Sequence, residues 1–198
     1  MNRPAYTRPG LALLVLAQCL SASVAAAAPQ ASPATAAPAV YSDDEVSRQA
    51  NEFFKTGAES LGKVLAKVLK EKGHPIAIIR GEEAGGAVAV GVRYGHGELI
   101  YKGAPGIKVF WQGPSVGLDL GADAVKVFAL IYALPTTKSL FQRFPSAEGS
   151  LYFVGGFGVN YLQRGAIVIA PVRFGVGWRE GIDLGYMHFT PEPHLNPF

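Results

Sequence analysis

A mainly β fold is predicted: a small antiparallel β-barrel of about ten short strands, with an N-terminal amphipathic helix and one short helix. Three observations carry the prediction. Of the 24 glycines in the 198 residues, 21 lie at or after Gly73, so the texture of the chain changes there. Beyond that point apolar and polar residues alternate with the period of a strand. Turn signals then recur at hairpin spacing, and closing such a series into a barrel removes exposed edges.

The domain does not begin at Met1. Arg3 and Arg8, the apolar run Leu11–Leu20 and the small-residue stretch Ser21–Ala28 have the grammar of a secretory signal peptide over residues 1–28. The apolar run is far shorter than the ~20 residues of a membrane-spanning helix, and no later segment is long, uncharged and glycine-poor enough to span as one. Cys19 is the only cysteine, and Leu16-Ala17-Gln18-Cys19 resembles a lipobox. That motif needs a small residue where Gln18 stands, so lipid anchoring at Cys19 is not expected. The mature chain then has no disulfide, and its core must supply the stability. Residues 29–40 (PQASPATAAPAV) cannot bury a core and read as a flexible Ala/Pro-rich linker. The expected domain is residues 41–198, and the expected location is the periplasm. Removing Arg3 and Arg8 leaves 16 basic against 15 acidic residues, a net charge of +1, too weak a field for nucleic-acid binding.

Ser42-Asp43-Asp44-Glu45 is a capping box that opens a helix. Val46, Ala50, Phe53, Phe54, Leu61, Val64, Leu65, Val68 and Leu69 recur at spacings of three and four, one stripe facing a core. Gly73 and Pro75 end it, while Gly57 and Gly62 mark where it could break. Acids begin the helix and Lys67, Lys70 and Lys72 end it, as the dipole favours, so the charges do not form a polybasic membrane-docking face.

Strands are expected near 76–80, 86–94, 97–102, 107–112, 115–121, 124–132, 150–156, 157–163, 166–173, 174–179 and 181–189, with the short helix near 138–144. Tyr94-Gly95-His96-Gly97, Ala104-Pro105-Gly106, Gln163-Arg164-Gly165 and Arg179-Glu180-Gly181 read as turns. Glycines inside strands mark bends or close approaches of other chain segments.

Gly113-Pro114-Ser115-Val116-Gly117 matches the G-x-S-x-G nucleophile elbow of serine hydrolases. The elbow needs a helix after the serine. Val116, Leu118 and Leu120 instead alternate with Gly117, Asp119 and Gly121, which is strand period. The expected structure is a turn at Gly113-Pro114 with Ser115 starting the next strand. Asp183 with His188, or Asp123 with His194, would complete a triad in chain order only. Glu82 and Glu83, adjacent on a strand, would point to opposite faces and could not share a substrate. Arg80, Glu82, Arg93 and Glu98 are candidates for cross-strand ion pairs. His74, His96, His188 and His194 lack zinc-site spacing, and no cofactor motif is present. Trp111, Trp178, Phe110, Phe128, Tyr132, Phe153, Phe157 and Tyr161 are expected in the core or barrel wall, where they would otherwise line an apolar ligand cavity. An integral outer-membrane barrel is the other alternative; Phe198 fits it, but Pro191, Pro193 and Pro197 break a terminal strand.

Gly81-Glu82-Glu83-Ala84-Gly85-Gly86, Gly91-Val92-Arg93-Tyr94-Gly95, the stretch Val109 to Gly117, Ala170-Pro171-Val172-Arg173 and the ending Asn196-Pro197-Phe198 together resemble the EipA family of envelope-integrity proteins, over about residues 41–198. The resemblance implies a soluble periplasmic β-barrel with an N-terminal helix, a role in envelope integrity and stress resistance, and no enzymatic activity. Trp111 through Asp123 is more faintly similar to SYLF domains, which implies binding of a lipid or another envelope component. Glu82, Glu83, Trp111, Gly113, Pro114, Ser115 and Asp119 are thus motif positions to which no catalytic, cofactor or metal role is assigned.

Overall fold

The computed structural model describes residues 39–86, 90–116, 124–147, 150–175 and 185–194. The predicted helix is two helices. α1 (Asp43–Phe54) opens on the expected capping box, with Ser42 and Glu45 satisfying each other's backbone N–H groups. It ends at Lys55, whose left-handed conformation lets its N–H bond to the Asn51 carbonyl. Thr56-Gly57-Ala58 then redirects the chain into α2 (Glu59–Lys72), capped by Gly73. Val46, Ala50 and Phe54 of α1, and Leu61, Val64, Leu65, Val68 and Leu69 of α2, are buried, so one stripe faces the sheet across the break.

Ten strands follow: β1 (Ala77–Gly86), β2 (Val90–Tyr101), β3 (Ile107–Val116), β4 (Val125–Tyr132), β5 (Arg143–Pro145), β6 (Tyr152–Val154), β7 (Phe157–Val159), β8 (Leu162–Arg164), β9 (Ile167–Phe174) and β10 (Tyr186–Thr190). They form one antiparallel sheet in the order β5-β10-β3-β2-β1-β4-β9-β7-β6, with β8 also paired to β9. The sheet curls until β8 meets the end of β5, where Ser146 bridges Leu162 and Arg164 donates to the Arg143 carbonyl. The mainly β, barrel-like prediction is therefore borne out.

Several local expectations are corrected. Tyr94-Gly95-His96-Gly97 is no turn, because β2 runs straight through it, paired with β1 and β3. The reason is non-local. The Trp111 ring lies over Gly81 and Gly95, and a Cβ on Gly95 would stand 2.2 Å from the indole. Gly113-Pro114 is no bend either, since both residues lie inside β3 opposite Arg93 and Val92. Pro114 lies past the end of the β3–β10 ladder, at an edge position where a missing N–H is tolerated. Glu82 and Glu83 lie within β1, which extends beyond the predicted 76–80. The predicted strand at 157–163 is interrupted into β7 and β8, and the short helix is one 3₁₀ turn, Thr137–Leu140, followed by β5. The Arg179-Glu180-Gly181 turn and Trp178 lie outside the described residues.

Strand parity divides the core in two. Ile78, Phe128, Leu130, Phe157, Val159, Ala170 and Val172 pack against the helices. Ile79, Leu99, Val109, Trp111, Val127, Ala129, Ile131, Ile169, Met187 and Phe189 fill the concave interior. Phe153, expected in the core or wall, is exposed on the terminal strand β6.

Candidate functional site

Among the described residues the interior is apolar except at the end from which the β1–β2, β3–β4 and β9–β10 connections leave. There, parity turns Glu83, Arg93 and Arg173 inward, at 2%, 3% and 0% exposure. Arg173 grips the Glu83 carboxylate with two donors, Nε to Oε1 at 2.5 Å and Nη2 to Oε2 at 3.4 Å. Its Nη1 donates to Asn160 Oδ1 at 2.7 Å. Trp111 Nε1 donates to Glu83 Oε2 at 3.0 Å. Arg93 places Nη1 4.0 Å from Glu83 Oε1 and donates from Nη2 to the Pro114 carbonyl at 3.1 Å. One carboxylate thus ties β1 to β2, β3 and β9. Burial of these charges is tolerable because they are paired and hydrogen-bonded.

This arrangement is a brace. Both Glu83 oxygens are engaged by donors, and no hydroxyl or thiol nucleophile is placed against it among its described contacts. Beneath it, Ile79, Trp111, Val127, Ala129, Pro171, Met187 and Phe189 close on a gap too narrow for a water molecule. An interior ligand cavity, the sharper expectation for the aromatic residues, is thus not present at this gap.

The motif residues separate accordingly. Glu83 and Trp111 come together, while Glu82 points outward and is exposed, between His96 and Lys126 in the strand register. Gly113 and Pro114 hold β3 beside Arg93. The backbone of Ser115 continues β3 opposite Gly91, so the strand–turn–helix of a nucleophile elbow does not form there. Asp119, Asp123 and Asp183 lie outside the described residues. The expected ion pairing is also rearranged: Arg93 meets Glu83, and Arg80 donates to Gln49 of α1. No cluster of three or more His, Cys, Asp or Glu suited to a metal occurs among the described residues.

Arg173 enters the sequence reading only as part of the Ala170–Arg173 motif, and Asn160 not at all. The available signal was an arginine inside the apolar strand Ile167–Phe174, at the parity of Ile167 and Ile169.

A second feature lies on the outer face of β2, β3 and β10, away from the helices. Tyr94, Gln112, His188 and Arg143 are neighbours across four strands, and His96, Phe110 and Thr190 form the next row. A cleft of about 240 Å³ lies there, with Pro193 and His194 completing its wall. The His188 imidazole has its pKa pushed down by burial, then by the nearby Arg143 and His194.

A curled antiparallel sheet with a helical cover and an ionic brace inside it defines a β-barrel-like class of protein. Within that class, the chain belongs to the envelope integrity protein A (EipA) family, whose profile matches residues 39–198. The crystal structure of a beta-barrel-like, uncharacterized protein from Brucella abortus is similar, at 37% sequence identity and a TM-score of 0.73, covering 80% of this chain and 99% of that one. None of the curated proteins matches. Membership implies a role in envelope integrity. No described helix is long and apolar enough to cross a membrane.

Proposed function

We propose that this chain is a periplasmic, non-enzymatic protein that supports envelope integrity and stress resistance by holding a lipid or another envelope component on its surface. Family membership across residues 39–198 carries the reading. The leader-like residues 1–28 and the linker 29–40 support export and release from the membrane. The gap beneath the brace, too narrow for a water molecule, leaves no room there for an acyl chain and supports an external binding surface.

Deleting the gene is expected to sensitise cells to detergents and cell-wall antibiotics, read as a fall in plating efficiency on graded plates. Unchanged plating of a clean deletion would refute the role. Ser115→Ala is expected to restore the deletion strain as fully as the wild-type chain, because the hydrolase alternative alone needs that hydroxyl. Failure of a normally expressed Ser115→Ala protein to complement would revive hydrolysis. Release by osmotic shock without detergent separates the periplasmic reading from an integral outer-membrane barrel.

A further inference from the structure

We propose that the outer-face cleft on β2, β3 and β10 binds an anionic sugar, a pyranose carrying a carboxylate or a phosphate. This rests on the reading that the protein works by holding an envelope component, and it names the class of that component. Tyr94 and Phe110 present aromatic surface to the cleft, Tyr94 at 38% exposure. Flat aromatic faces suit the apolar C–H face of a sugar ring, while polar side chains between them fix orientation. Gln112 gives the floor an amide, and His96 and His194 bring imidazoles to the walls. The volume of about 240 Å³ is enough for one pyranose ring.

The charge on this face selects for an anion. No Asp or Glu lines the cleft among the described residues. Burial, and after it the nearby Arg143 and His194, disfavours protonation of His188, which faces Arg143 across the β10–β5 register, so three basic groups gather at one margin. Arg143 is exposed and held over the Tyr186 ring, 5.0 Å from its centroid. Among the described residues the nearest acids by chain and register are Glu82, which stands between His96 and Lys126, Glu98, two residues from His96 and opposite Lys108, and Glu192, two residues before His194. An anion seated beside Arg143 and His188 would relieve the repulsion among the bases and raise the His188 pKa.

The test is titration of the purified full chain with glucuronate, glucose 1-phosphate, glucose and inorganic phosphate, followed by calorimetry and by the histidine NMR signals. Both anionic sugars should bind about tenfold more tightly than glucose or phosphate, and should raise the pH at which His188 titrates. Arg143→Gln and Tyr94→Ala, both at exposed positions, should each lose about that factor while keeping the wild-type melting temperature. Equal binding of glucose would remove the anion from the proposal, and equal binding of phosphate would remove the sugar; either overturns it. Absence of saturable binding, or undiminished affinity in both variants, overturns it as well. A deletion strain that is sensitised while no probe binds would sink the cleft alone and leave the envelope role standing.

Discussion

Replacing Glu83 by Gln should cost about 3–5 kcal/mol of folding stability, the penalty typical of removing one member of a buried ion pair. The amide keeps the shape of the side chain but not the charge that Arg173 and Arg93 face inside the barrel. One of its two oxygens also becomes a donor, which turns an N–H toward either the Arg173 or the Trp111 donor. Urea denaturation followed by tryptophan fluorescence reads the loss directly. A double replacement, Glu83→Leu with Arg173→Met, should be less damaging than Glu83→Gln, because it leaves one buried cation facing the lost carboxylate, Arg93, where Glu83→Gln leaves two. A loss below about 1 kcal/mol for Glu83→Gln, the scale of a surface ion pair, would show that the brace does not hold the barrel end together.

Gly95→Ala should be at least as disruptive, at about 3 kcal/mol or more, although it adds a single methyl group. The new Cβ would stand 2.2 Å from Trp111 Cε2 and Nε1, and the indole cannot retreat without surrendering its bond to Glu83. The cost therefore couples to the ring. In a Gly95→Ala, Trp111→Leu double variant, the added methyl should cost far less than it does beside the indole, a coupling that a double-mutant cycle measures. Gly95→Ala melting within about 0.5 kcal/mol of wild type would mean that the ring has room to move.

These two residues also show what was legible before folding. Ser42, Glu45 and Gly73 announced helix ends through local chemistry, and the structure places caps at all three. The alternation from Ile76 onward announced strands, because a two-residue period needs no knowledge of partners. Gly95 and Gly97 read as a turn because the causes of their smallness, an indole from β3 over Gly95 and the β1 backbone at Arg80 and Gly81 against Gly97, are invisible to neighbours in sequence. Gly113-Pro114 misled in the same way: a pair that usually bends a chain sits within β3, beside Arg93 on one side and beyond the β10 ladder on the other. Glu83 could be assigned the opposite face from Glu82, but not its partners. Those come from β2, β3 and β9, which only the curl of the sheet brings together. The outer cleft was hidden for the same reason, since Tyr94, Phe110, Gln112 and His188 become neighbours only through register.

The pairing of β10 with β3 also sets an order of events. Every contact among β1, β2, β3 and β4 can form from a contiguous part of the chain. β3, however, finds its second neighbour only after the whole run through β9 has been supplied. Long-range pairing of this kind pays its loop-closure entropy before it gains contacts, which slows folding. Until Phe189 arrives against Trp111, at a ring separation of 6.0 Å, the half-built sheet displays a free strand edge and an uncovered indole. A chain arriving in a crowded compartment is most vulnerable to mispairing in that interval, and the open edge of β3 is where a chaperone would gain most by binding.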